Sequence, residues 1–216
     1  MVGINYGQTG ELILDVLREE GVQQHLAKLR AHHYESYTHS LRVGMLATDL
    51  GLDYFTDQGV LRELCYGGIL HDIGKVQISL GILVKPKDLD KEEWSIMQQH
   101  PRLGFEMLSG FCSENVRQII VAHHEYQIDP YPRNGEERRR REKLEDSRRT
   151  RNDEVLEAAI QLVAVADAYD ALATPRSYKA ALSLEEIEEG LRAKFTGDHK
   201  FIDMVLERHE DSEQPV

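Results

Sequence analysis

Apolar residues recur three and four apart along most of this chain, and alternating apolar–polar runs are scarce. That pattern constrains the chain to an all-α fold, a compact bundle of helices. Residues 11–20 place Leu12, Ile13, Val16 and Leu17 on one face, a second helix is predicted over 22–32, and a third carries Leu41, Met45 and Leu46 before Gly51. A fourth, over 57–70, presents Val60, Leu61, Leu64 and Cys65, and a loop with Gly81 and Pro86 follows. Asp90 with Glu93, and Ser183 with Glu186, have capping-box spacing; Ser113 is a further N-cap, and Pro101 breaks or restarts a helix after His100. A long apolar helix is predicted over 153–173, and a last one over 199–209 before a polar tail.

The second constraint is where the histidines fall. There are ten in 216 residues. His71-Asp72 ends the apolar run Gly68-Ile69-Leu70, and His123-His124 ends Ile119-Ile120-Val121-Ala122. Asp167 lies inside Leu162-Val163-Ala164-Val165-Ala166, His39 follows Glu35 by one helical turn, and His100 precedes Pro101. Singly, each has an ordinary reading as a satisfied core or surface group. Jointly they are costly, because a buried carboxylate without a partner costs several kcal/mol. A metal cation is the economical partner, and seven such groups exceed the four to six ligands of one ion. Imidazole and carboxylate without thiolate suit iron, manganese, zinc or nickel in a di- or trinuclear centre. Lys75, four residues after His71, shares its face if the helix continues, and a lysine beside a metal calls for an anion such as phosphate between them.

Charge bounds the partners. The chain carries 26 basic and 38 acidic residues, net −12, which argues against bulk nucleic-acid binding but not against a small anion in a positive cup. Residues 133–151 hold nine basic and five acidic residues, net +4, with Leu144 as their one large aliphatic side chain. They read as an exposed excursion between core helices, either a solubilising surface or a docking patch for an acidic partner. No run of about 18 apolar residues predicts a membrane span, no secretory signal is visible, and Cys65 and Cys112 read as reduced thiols, so the expected location is cytoplasmic.

The order and spacing of these strings resemble the HD-GYP branch of the HD-domain phosphohydrolases over about residues 30–208. The matching strings are His39-Ser40-Leu41-Arg42-Val43, His71-Asp72-Ile73-Gly74-Lys75, Leu83-Val84-Lys85-Pro86 and Glu92-Glu93-Trp94-Ser95-Ile96-Met97-Gln98-Gln99-His100-Pro101. They continue through His123-His124-Glu125, Asp167-Ala168-Tyr169-Asp170-Ala171-Leu172 and Arg176-Ser177-Tyr178-Lys179. The resemblance implies an N-terminal helical extension over 1–30, an HD-GYP-like catalytic domain over 31–210 and a flexible tail over 211–216. It implies two or three divalent metals, iron or manganese foremost and zinc or nickel as alternatives, held by His39, His71, Asp72, His100, His123, His124 and Asp167. Asp72 would bridge two ions, and Glu35 would serve a third. Lys75, Arg176 and Lys179 match positions that contact substrate phosphate, Tyr131 the tyrosine of the GYP motif, and Asp170 an acid behind the ligands.

The activity implied is hydrolysis of cyclic di-GMP to the linear dinucleotide or GMP. Asp72 and Lys75 are then catalytic, and the leaving oxygen takes its proton from a metal-bound water or from Asp170. The name-giving motif departs from the family: the link after His123-His124-Glu125 is one residue shorter, and Pro130 stands where the glycine belongs. Proline holds φ near −65°, so this loop takes another path. The Tyr131-Pro132 loop or the basic insertion would then dock a protein partner. Two alternatives stay open: a non-catalytic module that binds a cyclic dinucleotide or a protein, and a phosphohydrolase acting on another nucleotide.

Overall fold

The structure, a computed structural model, describes residues 6–131, 151–174 and 182–213. Among them are helices and no strand. The order is α1 Tyr6–Leu17, α2 Glu20–His32, α3 Tyr34–Tyr54, α4 Gln58–Leu70, a 3-10 helix Ile73–Gln77, α5 Leu80–Leu83, α6 Lys91–Met97, α7 His100–Met107, α8 Glu114–Ala122, α9 Arg151–Ala173, α10 Leu184–Lys194 and α11 Lys200–Glu213.

The caps read from the sequence are present. Asp90 and Ser183 close capping boxes with Glu93 and Glu186, Ser113 accepts from the Val116 N–H, and Pro101 sits in the first turn of α7. Several boundaries differ, and α3 runs through Gly51 to Tyr54 rather than stopping before it. α1 begins and ends earlier than expected, at Tyr6 and Leu17, so that Glu20 already opens α2. The stretch expected as loop after residue 72 contains the 3-10 helix and α5, the latter capped by the Ser79 hydroxyl. The last helix runs past residue 210 to Glu213.

α3 and α4 form an antiparallel pair across a short link at residues 55–57. They approach closely through glycine: a Cβ added to Gly68 would sit 2.8 Å from the Gly44 Cα. That contact brings the end of α4, carrying His71, beside the start of α3, carrying His39. α4 also divides the core. Leu61 and Leu64 pack with Val43, Leu162, Val163, Phe201 and Ile202, whereas Cys65, Ile69 and Leu70 pack with Val16, Val22, Leu29 and Ile120. α9 is buried almost all round from Ala158 to Asp167, as its unbroken apolar sequence demands. The end of α4 and the middle of α9 thus meet at the centre of the bundle.

Candidate metal centre

Three histidines reach this centre by one local device. Each lies at a helix terminus and donates its Nδ1–H to the carbonyl three residues earlier: His71 to Gly68 at 2.8 Å, His100 to Met97 at 2.9 Å, and His123 to Ile120 at 2.6 Å. The donation fixes the tautomer, so each Nε2 keeps a bare lone pair directed inward. All three rings are buried. The Nε2 atoms of His100 and His123 face each other at 3.3 Å, as do those of His71 and His39. Between His100 and His123 a lone pair is aimed at a lone pair, which repels unless a cation stands between them.

The carboxylates link the two pairs. Asp72 Oδ1 lies 3.1 Å from His100 Nε2, while Oδ2 lies 3.6 Å from His71 Nε2 and 3.7 Å from His39 Nε2. Oδ1 is buried with no donor, since His100 spends its proton on Met97. Asp167 spans the other side, with Oδ1 3.0 Å from His39 Nε2 and Oδ2 3.7 Å from His124 Nδ1. Three overlapping groups each bring their donor atoms within 4.8 Å: His100, His123 and His124; His39, His71 and Asp72; His71, His123 and Asp167. An orphaned buried carboxylate oxygen among bare imidazole nitrogens fits a divalent metal, and the donor types suit one.

The protonation balance follows from the same contacts. Burial pulls His71, His123 and His124 down, the last to about 3, so they stay neutral. Burial would lift Asp72, but Lys75, whose Nζ lies 2.5 Å from Oδ2, holds it well below the carboxylate range. Asp167 is likewise lowered against its burial, chiefly by His39. For His39, burial is outweighed by the hydrogen bonds to Asp167 and Asp170, which raise the imidazole to about 9. The charge that would neutralise a cation therefore holds a proton on His39.

Behind His39 stands a fork. Its Nδ1–H donates to Asp170 Oδ2 at 2.7 Å, and Arg42 donates from Nε and a terminal nitrogen to the two oxygens at 2.6 and 2.8 Å. Burial would raise Asp170, but His39 and Arg42 lower it to about 2. In the metal-free site these contacts favour the ionised form of Asp170 and place it where it orients His39. Lys75 is placed differently from expectation. α4 ends at Leu70, so Lys75 does not continue the His71 face; the 3-10 helix returns it to Asp72 itself.

A cavity of about 1200 Å³ opens above the cluster, larger than the ~300–1,000 Å³ usual for small-molecule sites. Glu35 is exposed on its rim, outside the three donor groups. Tyr131 covers the histidines, its ring 4.1 Å from that of His124 and 5.7 Å from that of His100. Backbone pairing holds the segment that leads to it. Ile128 N–H donates to the Lys194 carbonyl and Thr196 N–H to the Tyr126 carbonyl, pinning residues 126–128 against the end of α10 just before Pro130. Gln127 donates its side-chain amide to His124 Nδ1 at 2.6 Å; turned over, the amide oxygen would accept from Nδ1–H and leave Nε2 bare. Arg176, Lys179, Pro132 and the insertion up to residue 150 lie outside the described residues.

Residues 36–172 match the family model of the HD domain. The chain belongs to the HD-domain family. The HD-domain chain is 33% identical over 156 residues to a cyclic di-GMP phosphodiesterase of Thermotoga maritima, covering 70% of this chain and 38% of that protein. It is 30% identical over 190 residues to the 3'3'-cGAMP-specific phosphodiesterase 2 of Vibrio cholerae, covering 85% and 33%. It is 33% identical over 150 residues to the cyclic di-GMP phosphodiesterase response regulator RpfG of Xanthomonas campestris, covering 66% and 33%. The chain thus spans little more than a third of the length of these relatives. In fold it matches the HD domain of the L. monocytogenes phosphodiesterase PgpH, solved with cyclic-di-AMP, at a TM-score of 0.57 and 16% identity, covering 89% of this chain and 99% of that one. This HD domain is all-α, as its periodicity required. Among the described residues, no helix is long and apolar enough to cross a membrane.

Sequence reasoning missed the Arg42 fork and the recurring Nδ1-to-carbonyl device. The signal for the first was present: Arg42 follows His39 by three residues, as Asp170 follows Asp167, so each pair shares a helix face.

Proposed function

We propose that this HD domain is a metal-dependent phosphodiesterase that hydrolyses cyclic di-GMP to the linear dinucleotide or GMP. The observation that carries the reading is the set of inward, unprotonated imidazole nitrogens around the orphaned Asp72 oxygen. His39, His71, His100, His123, His124, Asp72 and Asp167 would hold two divalent ions, iron or manganese, with Asp72 shared between them. Glu35, on the rim, is the one free carboxylate of the expected set for a third. Bound, the ions would supply a hydroxide nucleophile near neutral pH and offset charge developing on phosphorus.

The chain's own residues do the rest. Lys75 holds Asp72 ionised and presents its ammonium to the cavity, where it can also meet a phosphate oxygen. Asp170, clamped by Arg42, fixes the His39 ring. Tyr131 roofs the histidines and excludes water from one side. Arg176 and Lys179 are the further phosphate contacts that the motif supplies. The names of the relatives, phosphodiesterases of cyclic di-GMP and 3'3'-cGAMP, support the reaction class and leave two cyclic dinucleotides to compare.

The test is to load anaerobically prepared protein with iron or manganese, add cyclic di-GMP, 3'3'-cGAMP or linear pGpG, and follow products by chromatography. Linearisation of cyclic di-GMP that stops when metal is removed is expected. Tight binding with no turnover under any metal would assign a binding module instead, the reading that Pro130 and the shortened loop favour.

A further inference from the structure

Trp94 is the chain's one tryptophan, and the metal centre makes no use of it. It belongs to α6, a seven-residue helix that buries none of its side chains. α6 is fastened to the preceding loop by its capping box and by the ion pair between Lys85 and Glu93. The indole is 45% exposed and lines the same cavity as His100, His124 and Lys75. Its ring stands edge-to-face with Tyr131 at 5.7 Å, and Tyr131 lies 4.1 Å from His124. Aromatic rings therefore run without a break from the metal centre to the rim, with Val84, Pro86 and Met97 beside them.

We propose that Trp94, backed by Tyr131, is the platform on which one purine base of the substrate stacks. The inference rests on the phosphodiesterase reading and adds to it a base subsite. A phosphate seated over the histidines and Lys75 leaves its base one sugar away, at the level of these two rings. Metals and Lys75 attract any phosphodiester alike, so they do not select a nucleotide. An exposed indole does, because every base offers a π-face and stacking excludes water from both surfaces. Tyr131 already spends ring surface on His124, which leaves the indole as the better exposed partner.

A single tryptophan makes the subsite directly readable. Metal-loaded protein is titrated with GMP and with ribose 5-phosphate, which carries the phosphate and no base, while tryptophan fluorescence is followed. Saturable quenching by GMP and none by ribose 5-phosphate is expected. In turnover of cyclic di-GMP, Trp94→Ala raises KM about tenfold with kcat within about twofold. Trp94→Phe keeps most of the affinity, and inhibition by ribose 5-phosphate is unchanged in both variants. Equal quenching by the two ligands, or a Trp94→Ala variant whose KM and ribose 5-phosphate inhibition weaken together, overturns the subsite. Loss of kcat with unaltered KM also overturns it. Absence of turnover in the unsubstituted protein defeats the phosphodiesterase reading instead, and the fluorescence titration still decides the stacking.

Discussion

The floor and the rim of the cavity are built in opposite ways. The floor consists of helix termini and two helix interiors, buried or half-buried, with His39, His71, His100 and His123 tied to backbone or carboxylate and His124 to the Gln127 amide before any ligand arrives. The rim consists of a four-residue and a seven-residue helix and a loop, whose Val84, Trp94, Ile96 and Ile128 remain exposed. The contrast separates two tasks. A cation needs donors held in place, because ligand rearrangement costs affinity, whereas choice among anionic substrates is made by surfaces that can vary without unfolding the core.

The floor therefore breaks hardest. Asp72→Asn or His123→Ala reduces hydrolysis to background and lowers bound metal per chain, checked by assay and elemental analysis together. Gly74→Ala comes next, because its Cβ would sit 2.0 Å from the His100 carbonyl oxygen, backbone that cannot step aside. It destabilises by about 3 kcal/mol in thermal or urea unfolding. The rim counterpart Gly81→Ala, whose Cβ meets nothing nearer than the Ser79 hydroxyl at 3.6 Å, shifts stability by no more than about 0.5 kcal/mol. A comparable loss at both glycines would erase the distinction.

Two smaller effects sharpen it. Asp170→Asn removes the charge that orients His39 and weakens metal affinity by about 10–100-fold while the fold persists, read by competition with a chelating dye. Metal must also displace the His39 proton. With that imidazole raised to about 9, the metal-free protein carries the proton throughout the neutral range, and apparent affinity falls about tenfold per unit as pH drops below 9. Calorimetry in buffers of different ionisation heat should find about one proton released per chain near pH 7.5 from this site.

The same contrast explains what could be read from sequence. The floor was legible because its residues violate their surroundings: His71, His123 and Asp167 are polar groups at the ends or centres of apolar runs, and burial makes such violations costly enough to demand a partner. Asp90 and Ser183 were legible because a capping box is local in sequence. The Arg42–Asp170 fork joins residues 128 positions apart, and only the packing of α3 against α9 brings them together. Trp94 and Tyr131 gave no signal as a pair, because their meeting depends on how residues 126–128 are pinned to the end of α10. The clamp on Asp170 was hidden for a related reason: a sequence shows an acid near a site, but not the cations packed against it.

The account stands on a divalent cation completing the buried cluster. Metal-free protein titrated with manganese or iron, with binding and cyclic di-GMP hydrolysis followed on the same sample, tests it most directly. The prediction is that hydrolysis begins from zero and reaches its plateau at two to three ions bound per chain. Hydrolysis by rigorously metal-free protein, or a fully folded protein that binds no divalent ion at this cluster, would contradict it.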